Sequence, residues 1–407
     1  MVLALAAVGC VPPDLGTTPT SSTVPPGRAT VVVSGSGQVS DTAQTYPAPL
    51  VARVVDSTGA PIPGVTVRFA STPMPSPRHA GVSFPSGSTA VSDVAGLAQV
   101  AVAADEWVGD LQVTATVDDQ TGSVASFALR QRIGRRTGEA AVPSGPVGPV
   151  FDGANIWVAQ LGTDTVSKLR ARDGALIGTY TVGSSPDGLA YDGANIWVAN
   201  CGTDDVMRLN PDTGAVEATF PVPGCPSRVL PVGDHIWVAG KSTPTLRAIN
   251  ASTGATVRTA TYSGGVEDFV YDGTDIWITE TNGHPLARIR ESDGSTVSTT
   301  GFSCTGGIAL QGDSIWVADP CLGKVTRLRR ADEVNLGDFP VGLDPLGVVT
   351  DGNDVWVSNY GSASVTRVRA ADGLAISTTA VPTGPLRMAF DGTNVWVASI
   401  SGSLSSI

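Results

Sequence analysis

The tetrapeptide Ile156-Trp157-Val158-Ala159 recurs as Ile196-Trp197-Val198-Ala199, Ile236-Trp237-Val238-Ala239, Ile276-Trp277-Ile278-Thr279, Ile315-Trp316-Val317-Ala318, Val355-Trp356-Val357-Ser358 and Val395-Trp396-Val397-Ala398. Seven of the eight tryptophans therefore occupy one repeated position, at successive spacings of 40, 40, 40, 39, 40 and 40 residues. A fixed period of this kind marks an array of like units rather than one continuous core. In the second unit the apolar stretches are Gly188 to Tyr191, Ile196 to Ala199, Val206 to Leu209 and Val216 to Phe220, separated by Asp-Gly, Thr-Gly or proline-containing turn signals. Four strands of about five residues with connections of similar length fill roughly 40 residues and leave no room for a helix. The repeat excludes a helical solenoid and predicts an all-β fold, a seven-bladed β-propeller whose four-stranded blades pack by both faces. An unbroken Ile-Trp-Val needs that two-sided burial, with Ile and Val toward one neighbour and Trp toward the other.

The ends of the array fit ring closure. The seventh unit stops at Ser403-Leu404-Ser405-Ser406-Ile407, where its third strand should end. Glu139-Ala140-Ala141-Val142 and Pro146 stand 40 residues before Thr179-Tyr180-Thr181-Val182 and Pro186, so they form a fourth strand with no first three ahead of it. Residues 137–143 are predicted to complete the last blade. An open ring would expose sheet edges and the flank of a blade.

Upstream, residues 27–133 carry period-two strands such as Leu50-Val51-Ala52-Arg53-Val54-Val55 and Val65-Thr66-Val67-Arg68-Phe69, with turns at Asp56-Ser57-Thr58-Gly59 and Asp93-Val94-Ala95-Gly96. About seven strands in about 100 residues suit a β-sandwich. The run from Gly37-Gln38-Val39-Ser40 through Pro49-Leu50-Val51-Ala52 to Gly64-Val65-Thr66-Val67-Arg68-Phe69 resembles the bacterial immunoglobulin-like group 1 (Big-1) domain, which implies a spacer module. Residues 11–26, rich in Pro, Thr and Ser, read as an extended tether. Before it, the apolar Met1 to Gly9 ends in Ala7-Val8-Gly9-Cys10 and resembles the lipobox of bacterial lipoproteins. That resemblance implies that residues 1–10 are a signal remnant with lipobox. Cys10 would carry the lipid, and the protein would be exported and anchored to the cell envelope, on the surface or periplasmic side. Membrane contact would be through that lipid alone, since no later segment approaches the roughly 18 apolar residues of a span.

Lys and Arg total 25 against 37 Asp and Glu, a net charge of −12 that repels polyphosphate, so nucleic acid is not an expected partner. Antiparallel strands bring the loops after the second and fourth strands of every blade to one face. That face collects the residues that vary between units: Gln160, Asn200, Gly240, Glu280, Asp319, Asn359 and Ser399 after the second strands, and Asp187, Arg228, Glu267, Asp268 and Arg387 leading into the first strands. They are read as a candidate ligand-binding face on a monomer, open to a protein, glycan or envelope component. Cys201, Cys225, Cys304 and Cys321 reach the same face; three pairings are possible, and Cys201 with Cys225 and Cys304 with Cys321 join neighbouring loops. No Cys-x-x-Cys or accompanying His argues for a metal.

Across residues 137–407 the units, of the form Asp-Gly-x-x-Ile-Trp-Val, resemble the propeller family that includes virginiamycin B lyase, alongside NHL and YVTN-type repeats. That resemblance implies, as an alternative to a non-catalytic binder, Mg²⁺-dependent elimination with a His base and acidic metal ligands. The candidates for such catalysis are Glu280 and His284; His79 falls in a loop of the sandwich and His235 at a turn. The same disc would also suit a hydrolytic enzyme or a purely structural envelope protein. No cofactor is expected for the binder, and the repeated Asp-Gly is read as a hairpin turn rather than a Ca²⁺ motif.

Overall fold

The computed structural model describes residues 29–72, 79–117, 124–143, 145–262, 264–280 and 285–407. The expected lipobox with Cys10, the tether at 11–26 and His284 lie outside the described residues. The chain divides into two compact units, one ending at Gly134 and the other running from Arg135 to Ile407.

In the first unit two sheets enclose one core. Ala29–Ser34, Leu50–Val55 and Leu97–Val100 form the smaller; Gln38–Asp41, Val124–Arg132, Gly109–Val117, Thr66–Ser71 and Thr89–Val91, in that spatial order, form the larger. Only the pairing of Gln38–Asp41 with Val124–Arg132 is parallel in these two sheets. Alternation works as the sequence suggests: Leu111, Val113, Ala115 and Val117 turn inward from one strand and meet Leu50, Ala52 and Val54 across the core. Phe69 and Phe127 pack ring to ring, 6.1 Å between centroids.

The second unit contains seven four-stranded antiparallel sheets among the described residues, six of them built from four consecutive strands. Their innermost strands are Pro146–Phe151, Pro186–Tyr191, Pro226–Val232, Val266–Tyr271, Ile308–Gln311, Pro345–Thr350 and Pro385–Phe390. Each packs against the next, and the last packs back on the first. Radially arranged sheets that close on themselves are the architecture of a β-propeller. The remaining sheet runs Pro385–Phe390, Val395–Ser399, Ser403–Ser406 and finally Gly138–Ala140. Gly138 pairs with Ser406, Glu139 with Ser405 and Ala140 with Leu404. The paired segment is shorter than the expected 137–143 because Ser403–Ser406 offers only a short edge.

Six of the repeated tryptophans, at 157, 197, 237, 277, 316 and 396, are fully buried, while Trp356 is only partly so. Around each ring a common set of partners recurs. The indole Nε1–H of Trp157, Trp197, Trp277, Trp356 and Trp396 donates to the carboxylate of the aspartate five residues earlier, at 2.7 to 2.9 Å. The other oxygen of that aspartate accepts two backbone N–H groups of the turn, as Asp152 does from Ala154 and Asn155. The Asp-Gly signal read as a turn is therefore also the anchor of the tryptophan. A cation lies over most rings from the adjacent strand: Lys168 on Trp157, Arg208 on Trp197, Arg288 on Trp277, Arg327 on Trp316 and Arg367 on Trp356. Gly214, at φ +72°, abuts the Tyr180 ring of the preceding sheet, so a side chain there would collide with it.

Candidate functional site

The two disulfides join the cysteines as their neighbouring loops suggested: Cys201 with Cys225, and Cys304 with Cys321. Among the described residues no group of His, Cys, Asp and Glu could hold a metal ion. His79 is exposed in the first unit, and His235 sits at its hairpin turn with Nδ1 3.2 Å from Asp234.

The variable residues divide into two sets. Gln160, Asn200, Glu280, Asp319 and Asn359, with Gly240 and Ser399, do not stand on an open face; all are buried at the ends of their strands. Gln160 Nε2 donates to Ser167 and its Oε1 accepts from Thr165, Asn200 donates to Asp205, and Asn359 donates to Ser364 and Thr366 while accepting from the Gly342 amide. Asp319 accepts the Leu322 amide, and burial raises its carboxyl above the usual range. The position clasps the hairpin between second and third strands. A polar residue there followed by another five residues later, as in Gln160 and Thr165, Asn200 and Asp205, or Asn359 and Ser364, was the signal available in the sequence.

The residues of the first strands come together. Gly148, Gly188, Arg228, Asp268, Gly347 and Arg387 hold equivalent positions on successive inner strands, and Gly307 holds the same register just before the fifth. Inner strands approach closely there: a Cβ on Gly188 would lie 2.5 Å from the Ser227 carbonyl, and one on Gly307 would lie 2.5 Å from that of Leu346. Where the glycine is replaced, the side chains form one ion-paired web. Arg228 Nη1 meets Asp187 at 3.0 Å and Nε donates to the Glu267 carbonyl. Arg387 crosses from the last sheet to the fourth, with Nη2 3.0 Å from the Glu267 carboxylate and Nη1 3.2 Å from Asp268. Lys241, not singled out from the sequence, closes on Asp187 at 2.5 Å.

Burial would raise the Asp187 carboxyl, but Arg228 and Lys241 outweigh it and hold it low. Burial would in turn lower Arg228, and Asp187, Glu267 and Asp268 raise it instead. At Asp268 burial wins over Arg228, and the carboxyl is pushed up to about 6. A cavity of about 160 Å³ lies against this cluster, lined by Arg228, Asp268, Arg387 and the three glycines 148, 188 and 347, with apolar neighbours such as Phe269 and Met388.

The loop face adds a feature that reading by charge alone did not isolate. Leu322, Leu343, Ile400 and Leu161 are 57%, 67%, 50% and 45% exposed, large values for aliphatic side chains, and they occupy loops of the fifth, sixth, seventh and first sheets. Gly384 abuts both Ile400 and Tyr360, and Gly361 abuts Leu343, so Leu343, Tyr360 and Ile400 cluster where the sixth and seventh sheets meet. The loops of the second and third sheets instead present Cys201 and Lys241 after the second strand. Among the described residues the exposed aliphatic side chains after the second strands are those of the first, fifth and seventh sheets, not of the second and third.

No protein-family model matches the chain. No curated protein matches it either. Solved structures do. Hydrazine synthase of Kuenenia stuttgartiensis superposes with a TM-score of 0.59 at 17% identity, covering 66% of this chain and 96% of that one. A streptogramin B lyase structure gives 0.58 at 16% identity, covering 67% and 97%. A computationally designed protein, Ika8, gives 0.53 at 8% identity, covering 67% and 99%. At these identities the likeness shows the fold alone, a β-propeller of the kind to which the lyase belongs.

Proposed function

We propose that the protein is a non-catalytic binder of the bacterial envelope: a lipoprotein anchored through Cys10, in which an immunoglobulin-like spacer carries a seven-bladed propeller. The propeller docks a protein, glycan or other envelope component on its loop face. The observation that carries this reading is the cluster of exposed Leu343 and Ile400 with Tyr360, flanked on the same loop face by exposed Leu322 and Leu161. Burying exposed aliphatic surface drives association at roughly 25 cal/mol per Å², and contiguous exposed patches on otherwise polar proteins mark interaction surfaces. The two disulfides favour an oxidising compartment, in keeping with export.

The test is retention of envelope components by the immobilised full chain, quantified by mass spectrometry, beside the double variant Leu343→Asp with Ile400→Asp. Both side chains are exposed, so the variant should keep its thermal midpoint while losing at least about tenfold in retention of the specific species. Equal retention by both proteins would end the docking proposal.

A further inference from the structure

The ion-paired web and the cavity beside it make a second site, built from residues other than the aliphatic cluster. Asp187 and Glu267 stand at the second position of their inner strands, and Arg228, Asp268 and Arg387 at the third. The cavity's lining residues begin at that third position, one step further along each strand. Arg228 and Asp187 are more than nine-tenths buried. Arg387 reaches the same point from the opposite wall. Glycines at 148, 188 and 347 leave backbone exposed to it at the positions where Arg228, Asp268 and Arg387 carry side chains. This is a small, partly open space bounded by two guanidinium groups, the Asp268 carboxyl, the glycine backbone and apolar side chains such as Phe269 and Met388.

We propose that this cavity takes up one small carboxylate, which replaces Asp268 as the anion facing Arg228 and Arg387. The charge count supports the exchange. Three cations, Lys241, Arg228 and Arg387, meet three carboxylates, Asp187, Glu267 and Asp268. With Asp268 protonated the web holds three cations against two anions, a deficit of one negative charge that a ligand carboxylate fills. The groups facing Asp268 are Arg228, Glu267, Arg387 and the backbone amides of Phe269 and Ile308. Its proton then points a hydrogen-bond donor at the incoming carboxylate, a charge-assisted pairing alongside the planar forks of the arginines. No covalent bond to the protein forms; below about pH 6 the carboxylate binds to the already protonated web, and above it one carboxylate and one proton bind together.

The experiment is calorimetric titration of the full chain with acetate and with butyrate at pH 5, 6.5 and 8, in buffers free of other carboxylates. Binding should saturate at one per chain, and affinity should fall by about tenfold per pH unit above about 6, with proton uptake visible as a buffer-dependent enthalpy. Arg387→Gln should weaken binding at pH 5 by at least about tenfold. Asp268→Asn, whose amide donates without titrating, should bind at pH 8 as well as at pH 5. Leu343→Asp with Ile400→Asp should leave carboxylate affinity unchanged, which separates this site from the docking face. Absence of saturable binding at pH 5 by the folded wild type overturns the proposal, as does binding that ignores both pH and Arg387→Gln, the mark of an adventitious anion.

Discussion

At the scale of single residues, Asp268 is where the fold works against itself. An unfolded aspartate titrates near 3.9, whereas Asp268 keeps its proton up to about 6. The stability it contributes is complete below about pH 4 and is lost as pH rises through about 6, because the ionised carboxylate must then be accommodated in a largely desolvated place. Asp187 has the opposite sign: its lowered value contributes stability above about pH 4 that is lost only in stronger acid. Between about pH 4.5 and 8 the Asp187 contribution is therefore steady and that of Asp268 is not. Chemical denaturation across this window should show the wild type losing about 2 kcal/mol relative to Asp268→Asn as pH rises. Parallel curves for the two proteins would refute a perturbed Asp268. Asp187, Arg228, Glu267, Asp268 and Arg387 were legible in the sequence because they vary in charge between otherwise similar units. Their partnership was not legible, since Arg387 and Glu267 are 120 residues apart and meet only because the ring brings the last sheet opposite the fourth. Lys241 escaped notice for the same reason.

At the scale of the element, the unit is a hairpin bolted by its aspartate. The two units that lack the aspartate show what it does. In the third, Val232 stands in its place, and Trp237 finds Glu291 of the following sheet at 3.4 Å. In the fifth, Gln311 stands there, and the buried Trp316 Nε1–H has no hydrogen-bond partner among the described residues. A buried donor left unpaired costs about 1 to 3 kcal/mol. Gln311→Asp restores the spacing found at Asp152 and Trp157 and should raise stability by about 1 kcal/mol, after allowing for loss of the bond from Gln311 to the Gly352 carbonyl. The reverse change, Asp152→Ala, strips acceptors from two amides and an indole in a buried turn and should cost about 2 to 3 kcal/mol. Denaturant midpoints of the two variants should move in opposite directions. The existence and length of these strands could be read from the period, because four short strands are the one filling for such a repeat. Gln160, Asn200 and Asn359, read as part of an open binding face, are buried because loop and strand end differ by one residue and the ladder extends far enough to cover them.

At the scale of the whole molecule, the ring has one seam, where the last sheet borrows Gly138–Ala140, and Arg136 sits across it. Its backbone amide donates to Asn394, and its guanidinium donates to Ser406 and to the Glu139 carbonyl. The same guanidinium lies 5.2 Å from the centre of the Trp396 ring and abuts Gly174 of the first sheet. In five other sheets the cation over the tryptophan comes from the adjacent third strand; here that register position holds Ser406, and the cation arrives from the other end of the second unit. Arg136→Ala removes charged hydrogen bonds worth about 1.5 to 3 kcal/mol and a cation–π contact of about 1 kcal/mol, all at the closure and none in the other blades. The loss should therefore be local before it is global. Hydrogen exchange at neutral pH should speed up in Val395–Ser399 and Ser403–Ser406 while Ile196–Asn200, in a sheet closed by its own consecutive strands, keeps its protection. If all sheets lost protection equally, the closure would be no weaker than the rest of the ring. If none did, Arg136 would carry no part of the seam.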